Sequence, residues 1–370
     1  MARFDILFTL DYEIHGNGEG RPRALMTRPT GRLLDLFQDA GARLTIMADT
    51  AELLRYREVA DRSGRDYFGI GDIEEQLRTA VARGHDVQLH VHPSYLKAEF
   101  VGRKWEQYYK EYSCADLPRE RITEIISGGK TYLERLLRPV DPDYACLAFR
   151  AANWSMCPSH HIVPALIENG IRYDSSVFKY GSRKGTVTFD YSQAPSNIVP
   201  WRPSAEDICG ISQDSPLIEI PIYCERRHVW AFASLGRLRR VLTSRQYPVK
   251  LSGMSSRRRI VGRLRDLGRL VLSRHAWKLD FNQCSAGQIV RTFERIACNN
   301  PGAKDLPVVL IGHSKLADTR NGKELAQVLA YLNSKPEVFR FSTFRQLSGA
   351  WSHGREPTAP ERLASCGVET

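Results

Sequence analysis

Several features that define other protein classes are missing from this chain of 370 residues. No run approaches the roughly 18 consecutive apolar residues that a membrane-spanning helix needs. The eight cysteines form no Cys-x-x-Cys pair, which argues against a disulfide framework and against a structural zinc site. No internal repeat is present, and no charged and then apolar leader precedes the first apolar strand. We therefore expect a cytoplasmic protein with free thiols.

The net charge of +11 is confined to one segment. Residues 226–275 carry 14 Lys and Arg against a single acid, Asp266, so the other 320 residues sum to −2. The second half of this segment has apolar residues at helical spacing with arginines between them. A solvated helix face is the default interpretation, and contact with anionic lipid or a lipid-linked glycan comes second. Nucleic acid comes last, because interleaved aromatic residues are absent.

Apolar runs and amphipathic stretches alternate along most of the chain. The runs predict strands at 6–10, 43–48, 86–93, 145–150 and 308–313, and a further short strand that ends at 173–176. Helical spacing predicts helices at 30–40, 119–137, 159–169, 285–299 and 323–332. Such alternation is typical of an α/β fold whose parallel sheet is built from βαβ units. We predict one domain over 1–350, interrupted by an excursion at 185–280, and a mobile polar tail at 351–370.

Polar side chains follow five of the predicted strands at the point where each strand ends. They are Asp11 with Glu13, His90 with His92, Arg150, Asp174 and His313. Because the carboxyl ends of parallel strands meet at one edge of a sheet, we expect these side chains to lie close together. Residues two apart on a strand point to the same face, so both members of each pair can face one pocket. Two imidazoles and a carboxylate are ligands of catalytic zinc and related divalent ions.

Each of these residues also has a purely structural interpretation. Arg150 could be a salt-bridge partner, Asp174 could cap a turn or helix before two serines, and His313 could be a hydrogen-bonded core histidine. Three aromatic residues have two alternative roles. Trp105, Tyr108 and Tyr109 could pack within the protein or form a platform for sugar rings. Polar residues at all five strand ends favour a functional site over these separate explanations.

Five short motifs occur at these strand ends. They are residues 9–13 (TLDYE), 84–93 (GHDVQLHVHP), 149–154 (FRAANW), 173–178 (YDSSVF) and 310–313 (LIGH). Together and in this order they resemble the motifs of the polysaccharide deacetylase family, also called carbohydrate esterase family four, with its nodulation-type chitooligosaccharide deacetylase fold. Each motif alone is weak, whereas the ordered set is specific. The resemblance spans residues 4–350 apart from the 185–280 excursion.

This resemblance implies a distorted parallel (β/α)7-type barrel and metal-dependent removal of acetyl groups from N-acetylated sugars. It implies that Asp11 is the general base towards a metal-activated water, held in its ionised form by Arg150. His313, oriented by Asp174, would be the general acid. The metal, for which zinc is our expectation, and a backbone N–H after Arg150 would stabilise the oxyanion.

The motifs depart from the family pattern at the metal ligands. Tyr12 stands where the family has a second aspartate, so we expect Glu13 to replace that ligand. Ser94 stands where the family has its second histidine, so we expect His92 to serve beside His90. The sequence therefore predicts a metal site of Glu13, His90 and His92 in a divergent branch of the family.

Positions expected to face the substrate also differ from the family pattern. Asn153 stands at the usual tyrosine of the arginine motif, and Phe178 stands at the usual tryptophan of the fourth motif. We expect Asn153, Trp154 and Phe178 to contact the substrate.

Three functions are compatible with these residues. The leading hypothesis is a cytoplasmic deacetylase, at the inner face of the membrane if 226–275 binds lipid, acting on an N-acetylated glycan in surface-polysaccharide or lipid-linked glycan synthesis. The second is a catalytically silent barrel that binds glycan or acts as a scaffold, because two usual metal ligands are replaced. The third is a glycoside hydrolase with Asp11 and Glu13 as its acids. It ranks last because glycosidases place their acids on opposite sides of the bond, roughly 5–9 Å apart.

Overall fold

The computed structural model describes residues 2–228, 230 and 273–351, the last four of these by their backbone alone. The basic segment predicted at 226–275 falls almost wholly outside the described residues, and so does the tail predicted at 351–370. The excursion predicted at 185–280 is described up to residue 228, at residue 230, and again from residue 273.

Strands and helices alternate from the first element onwards. The first half contains β1 (Phe4–Tyr12), α1 (Arg28–Asp39), β2 (Leu44–Asp49), α2 (Thr50–Ser63), α3 (Ile70–Ala82), β3 (Asp86–Val91), β4 (Glu99–Val101), β5 (Lys104–Glu106) and α4 (Arg119–Leu137). The second half contains β6 (Ala148–Ala151), α5 (Ser159–Glu168), β7 (Tyr173–Asp174), β8 (Ser182–Arg183), β9 (Phe189–Asp190), β10 (Ile218–Glu219), β11 (Cys224–His228), β12 (Arg274–Lys278), α6 (Ala286–Asn299), β13 (Leu306–His313), α7 (Thr319–Asn333), β14 (Phe339–Phe341) and α8 (Phe344–Trp351). The predicted strands and helices are confirmed, with boundaries that differ by a few residues.

Seven parallel strands form one curled sheet in the order β10-β7-β6-β3-β2-β1-β13. β14 also pairs with β1, along Phe4 to Ile6. The predicted α/β architecture, a parallel (β/α)7-type barrel, is confirmed. Because all seven strands run in the same direction, their carboxyl ends share one edge of the sheet.

Strand β1 forms the centre of the buried core. All nine of its residues are buried, including the acids Asp5 and Asp11. β13 pairs with it from Phe4 to Asp11, and β2 pairs with it from Phe8 to Tyr12. An apolar run buried on both faces is what a central strand of a parallel sheet requires.

Part of the range 185–280 belongs to the main sheet. β10 lies inside that range and pairs with β7. β11 and β12 form an antiparallel pair, and single bridges join Ile222 to Val309 and Asp280 to Ile311. The base of the β11–β12 pair therefore lies against β13, the strand that ends in His313. The division of the chain into a domain and an excursion stays a prediction.

Seven cysteines lie within the described residues, and all seven are free thiols. Four of them, Cys114, Cys146, Cys224 and Cys284, are buried, as expected for small apolar side chains of a core. Over the same described ranges, no helix combines the length and the apolar character needed to cross a bilayer.

Removal of the Phe8 ring should cost about 3–5 kcal/mol of the free energy of unfolding, because a fully buried aromatic leaves a cavity in the core. Phe8 is 0% exposed, and its ring meets those of Phe37 and Phe281 at centroid distances of 5.0 and 5.8 Å. Urea denaturation of Phe8→Ala measures the loss. The control is Tyr67→Ala, whose side chain is 63% exposed. Equal losses in the two variants would contradict this account of the core.

Acid should weaken the fold through His85, which is buried between β2 and β3. Its Nδ1 accepts a hydrogen bond from the backbone N–H of Leu44 at 3.2 Å, and burial, assisted by Arg43 and Arg83, lowers the pKa of His85 to about 4. The unfolded chain binds this proton near pH 6.5, so the stabilisation is complete above that pH. It is lost as the pH falls from 6.5 towards 4, by about 3 kcal/mol in total.

The measurement is the difference in unfolding free energy between wild type and His85→Asn across that pH range. Burial also raises the pKa of Asp86 to about 6. The contribution of Asp86 to the unfolding free energy therefore has the opposite dependence on pH, and it cancels in the difference because both proteins contain Asp86. The neutral asparagine should remove the contribution of His85 alone. Parallel curves for the two proteins from pH 6.5 to 4 would show that His85 does not titrate as described.

Candidate metal and hydrolytic site

The register of the sheet brings the strand-end residues to one edge. Asp11 of β1 lies opposite His313 of β13. On the other side, Asp49 of β2 lies opposite His90 of β3, which in turn lies opposite Arg150 of β6. The predicted convergence of these polar side chains therefore follows directly from which residues pair across the sheet.

Glu13, His90 and His92 form a cluster that could hold a metal ion. Their ligand atoms all lie within 4.8 Å of one another, and all three residues are buried. Glu13 Oε2 is 3.4 Å from His90 Nε2 and 3.1 Å from His92 Nδ1. These are the three residues that the sequence predicted as metal ligands, and their role as ligands stays a prediction.

The chemistry of this donor set fits a divalent ion. His90 Nδ1 lies 2.8 Å from the carbonyl oxygen of Arg150, so we infer that Nδ1 carries a proton and that Nε2 is the nitrogen available to a metal. A backbone acceptor behind a ligating histidine is the usual arrangement in protein metal sites. One carboxylate oxygen and two imidazole nitrogens leave room for water in a four-coordinate site.

Asp49 fixes the second histidine. Its Oδ2 lies 2.8 Å from His92 Nδ1, and its Oδ1 accepts the backbone N–H groups of His92 and Ala51, at 3.1 and 3.2 Å. His92 Nδ1 thus lies between two carboxylates, Asp49 and Glu13. Burial opposes a charge on His92, but these two acids outweigh it and raise the pKa of His92.

Lys315 neutralises the carboxylate of the cluster. Its Nζ donates to Glu13 Oε1 at 2.5 Å and to the carbonyl oxygen of Ile14 at 3.0 Å. Burial would raise the pKa of Glu13, but Lys315 and the two histidines hold that pKa well below its usual range. Glu13 is therefore ionised, with Oε1 bound by Lys315 and Oε2 turned towards the imidazoles.

Asp11 and Arg150 form a buried ion pair beside this cluster. Arg150 is 0% exposed, and its Nη1 lies 2.7 Å from Asp11 Oδ1. The same guanidinium donates from Nε to the carbonyl oxygen of Ser175 at 2.8 Å. Burial favours the neutral acid, but Arg150, with His313 and His90, holds the pKa of Asp11 below its usual value.

His313 faces Asp11. His313 Nε2 lies 3.5 Å from Asp11 Oδ2 and 4.0 Å from Glu13 Oε1. Among the described residues, His313 Nδ1 is buried without a hydrogen-bond partner. Burial and, less strongly, Lys315 lower the pKa of His313.

Asp174 lies beside another buried carboxyl group, that of Glu219. Its Oδ1 accepts the Ser176 hydroxyl at 2.7 Å, and burial raises its pKa. The neighbouring Glu219 accepts the backbone N–H of Val177 at 3.0 Å, and burial together with Asp174 raises the pKa of Glu219 well above its usual value. No hydrogen bond joins His313 to Asp174 within the described residues, and the orientation of His313 by Asp174, which the family resemblance implied, stays a prediction.

The backbone N–H that was expected to stabilise an oxyanion is already occupied. Arg150 is followed by Ala151, and the N–H of Ala151 donates to the Ser176 hydroxyl at 2.8 Å. That group is therefore not free to bind a ligand oxygen in this structure. The Ser176 hydroxyl therefore makes two contacts: it accepts the N–H of Ala151 in β6, and it donates to Asp174.

Of the three residues expected to contact the substrate, Trp154 lies beside His313, and Phe178 lies beside Trp154. The Trp154 ring is 6.4 Å from the His313 ring and 5.6 Å from the Phe178 ring, centroid to centroid, with both contacts close to perpendicular. Asn153 instead has its Oδ1 bound by Arg183 Nη1 at 3.0 Å. Both Asn153 and Trp154 have left-handed backbone angles, with φ of 55° and 57°. We name Trp154 and Phe178 the aromatic wall of the site.

Trp105, Tyr108 and Tyr109, for which packing and sugar binding were both considered, lie in different environments. Trp105 is buried and packs against Phe68, at a centroid distance of 4.8 Å. Tyr109 is 61% exposed, and Lys97 Nζ lies over the Tyr108 ring at 5.1 Å. Packing therefore explains Trp105, whereas a platform for sugar rings stays a prediction for the two tyrosines.

Sequence reasoning missed Asp49 and Lys315, although signals for both were present. Asp49 directly follows the predicted strand 43–48 in the same way that Asp11 directly follows the predicted strand 6–10. Lys315 follows His313 by two residues, the spacing that was used to pair Asp11 with Glu13. No comparable signal marks Lys278, which the fold brings over the aromatic wall.

Comparisons with known proteins identify the fold of the chain. No family model matches the sequence, and no curated protein sequence matches it. Among solved structures, a protein of Parabacteroides distasonis provisionally assigned as a glycoside hydrolase/deacetylase has a TM-score of 0.54 at 12% identity, over 94% of this chain and 71% of that one. The 4-alpha-glucanotransferase of Thermococcus litoralis has a TM-score of 0.51 at 13% identity, over 95% of this chain and 41% of that one.

A third similar structure is a provisionally assigned polysaccharide deacetylase of Mycobacterium smegmatis, with a TM-score of 0.49 at 14% identity, over 99% of this chain and 96% of that one. At such low identity, the two structures with TM-scores above 0.5 show a shared fold and nothing about ligands. One fold supports many chemistries, so the activity has to be argued from the site itself.

Metal-free protein should bind close to one zinc ion per chain, with a higher melting temperature in its presence, because the ion binds only the folded cluster. The double variant His90→Ala/His92→Ala should bind at least about 10-fold more weakly, since it removes both imidazole ligands. Calorimetric titration and metal analysis after dialysis measure this.

The matched control removes two histidines outside the cluster, His160 and His161 of α5, whose rings lie 4.1 Å apart. Their double alanine variant should bind zinc as the wild type does. Equal affinity of the two double variants, or no binding to the wild type, would show that Glu13, His90 and His92 are not a metal site.

Proposed function

We propose that this protein is a metal-dependent hydrolase that removes an acetyl group from an N-acetylated sugar. The proposal depends above all on one observation. A buried ionised acid, Asp11, lies at the same strand edge as the Glu13, His90 and His92 cluster, and His313 faces it at 3.5 Å. A base, an acid and ligands for a Lewis acid are the groups that amide hydrolysis requires.

Asp11 is the general base of the proposed reaction. Its Oδ1 is bound by Arg150 at 2.7 Å, so Oδ2 is the oxygen that accepts the proton of the attacking water. The pKa of Asp11 is held below its usual value, so the carboxylate is ready to accept a proton at neutral pH. Arg150 positions the base and does not itself take part in proton transfer.

His313 is the general acid. Its Nε2 faces Asp11 Oδ2 and donates a proton to the leaving nitrogen of the sugar. Burial lowers the pKa of His313, so its protonated form is a stronger acid than an exposed imidazolium. The Trp154 ring beside it limits the directions from which a substrate can approach.

Glu13, His90 and His92 would hold the metal, with zinc as the expected ion. When bound, a divalent ion polarises the acetyl carbonyl and lowers the pKa of nearby water. Lys315 and Asp49 keep Glu13 and His92 in position. The carbonyl oxygen of Arg150 holds His90 in position in the same way.

A sugar substrate is supported by the aromatic wall, and the names of two structures with the same fold are compatible with it. Aromatic rings such as Trp154 provide flat apolar faces against which sugar rings pack. The two structures with TM-scores above 0.5 are named as a glycoside hydrolase/deacetylase and a glucanotransferase. A role in surface-polysaccharide or lipid-linked glycan synthesis, a cytoplasmic location and lipid contact through 226–275 remain expectations from the sequence.

A catalytically silent, glycan-binding barrel is the second candidate, and one observation favours it. Lys315 already neutralises Glu13, and Asp49 already pairs with His92. The cluster is thus satisfied by internal ion pairs, which a silent descendant of an enzyme could retain for stability. The metal titration described above and the activity assay described below distinguish this candidate from the hydrolase.

A glycoside hydrolase is disfavoured by the charge state of the two acids. A glycosidase needs one carboxyl group with a raised pKa to protonate the leaving oxygen. The pKa values of Asp11 and Glu13 are both lowered, because Arg150 and Lys315 outweigh the effect of burial. Neither acid is therefore protonated near neutral pH.

Asp11→Asn should reduce acetate release by about 10²- to 10⁴-fold, because it removes the general base while keeping the shape of the side chain. The assay measures acetate from a panel of N-acetylated amino sugars and lipid-linked glycans, with protein loaded with zinc, cobalt or manganese. The control is Asp72→Asn, at an exposed position of α3 outside the site.

Full activity of Asp11→Asn would rule out Asp11 as the base. If the wild type binds zinc but releases no acetate from any member of the panel, the deacetylase proposal is wrong and the silent barrel replaces it.

A further inference from the structure

Lys278, the last residue of β12, lies over the aromatic wall of the site. Its Nζ is 3.1 Å from the centroid of the Trp154 ring and 4.4 Å from that of the Phe178 ring. β12 reaches this position because it pairs with β11, where Lys278 lies opposite Cys224, and because Asp280 bridges to Ile311 of β13. Lys278 therefore enters the site from a part of the chain that contributed none of the predicted site residues.

This ammonium group contacts rings and has no oxygen partner within the described residues. No hydrogen bond or ion pair of Lys278 Nζ occurs there, although Asp280, the acid that most raises its pKa, is two residues away. Ring faces attract a cation, but they leave its three N–H donors without strong acceptors. Burial is the main reason that the pKa of Lys278 is lowered, to about 8.

Two other cations that the structure describes at the site are already paired. Arg150 binds Asp11, and Lys315 binds Glu13. Lys278 is only partly buried, as is Trp154, so a ligand in the site can reach its Nζ. Placing a cation among apolar groups without an acceptor is unfavourable, and an anionic ligand oxygen would satisfy its donors with charge-assisted hydrogen bonds.

We propose that Lys278 is a ligand-binding residue whose Nζ binds an anionic oxygen of a molecule lying against Trp154. The inference rests on the proposed function for the idea that a sugar occupies this site. Two sources share this chemistry: a carboxylate carried by the sugar itself, and the acetate released by deacetylation. In either case, Lys278 makes the site select for negative charge next to the aromatic wall.

The test compares the binding of three probes, acetate, glucuronate and neutral glucose, by calorimetry to the wild type, Lys278→Met and Lys278→Arg. The wild type should bind at least one of the two carboxylates more tightly than glucose. Lys278→Met should bind that carboxylate about 10- to 100-fold more weakly, the usual effect of losing a hydrogen bond to a charged group. Lys278→Arg should retain most of the affinity, because it keeps the charge.

The matched control is Lys335→Met. Lys335 also lies over a ring, at 4.7 Å from the centroid of Tyr331, but it precedes β14 near the opposite end of β1. This variant should bind every probe as the wild type does. Thermal melting of all the variants checks that a loss of binding does not reflect a loss of folding.

Preferential binding of glucuronate would identify a charged sugar as the source, and preferential binding of acetate would identify the product. The proposal is wrong if neither carboxylate binds the wild type at millimolar concentration, or if Lys278→Met binds both as tightly as the wild type. Acetate release measured in parallel keeps the two proposals apart. Carboxylate binding that depends on Lys278, in a protein that releases no acetate, would overturn the deacetylase and leave this inference intact.

Discussion

The ion pair between Asp11 and Arg150 is the interaction on which the rest of the site depends. It joins β1 to β6 across two intervening strands, at 2.7 Å between Asp11 Oδ1 and Arg150 Nη1. Arg150 also orients His90 through its carbonyl oxygen, 2.8 Å from His90 Nδ1. A single residue thus holds the proposed base through its side chain and one proposed metal ligand through its backbone. Removing either partner of such a pair leaves a buried charge, which is costly.

The remaining charges of the site are arranged in similar pairs. Lys315 balances Glu13, and Asp49 faces His92. Arg150 keeps Asp11 ionised and Lys315 keeps Glu13 ionised, in a place where burial alone would favour the neutral forms of both acids. Lys278 differs from the other cations because its neighbours are rings. That difference separates a part of the site that is internally satisfied from the part at which we propose that a ligand binds.

Much of the fold was predictable because each signal is local. Short apolar runs predicted the buried strands, helical spacing predicted the helices, and their alternation predicted a parallel sheet. The proximity of Asp11, Glu13, His90, His92, Arg150 and His313 followed from one further rule, that parallel strands end at the same edge. The contacts of Asp174 with Ser176 and Glu219 were not predicted, because short-range patterns do not specify which buried group a side chain meets.

The sequence by itself determined which residues are buried, where the strands end, and which polar side chains reach the edge of the sheet. It could do so because hydrophobic periodicity and strand direction act over a few residues. Only the tertiary structure decided that Glu219 lies beside Asp174, that Lys315 binds Glu13, and that Lys278 covers Trp154. Those contacts join residues far apart in the chain, and they depend on the register of the strands and on the path of the loops between them. No local pattern encodes that information.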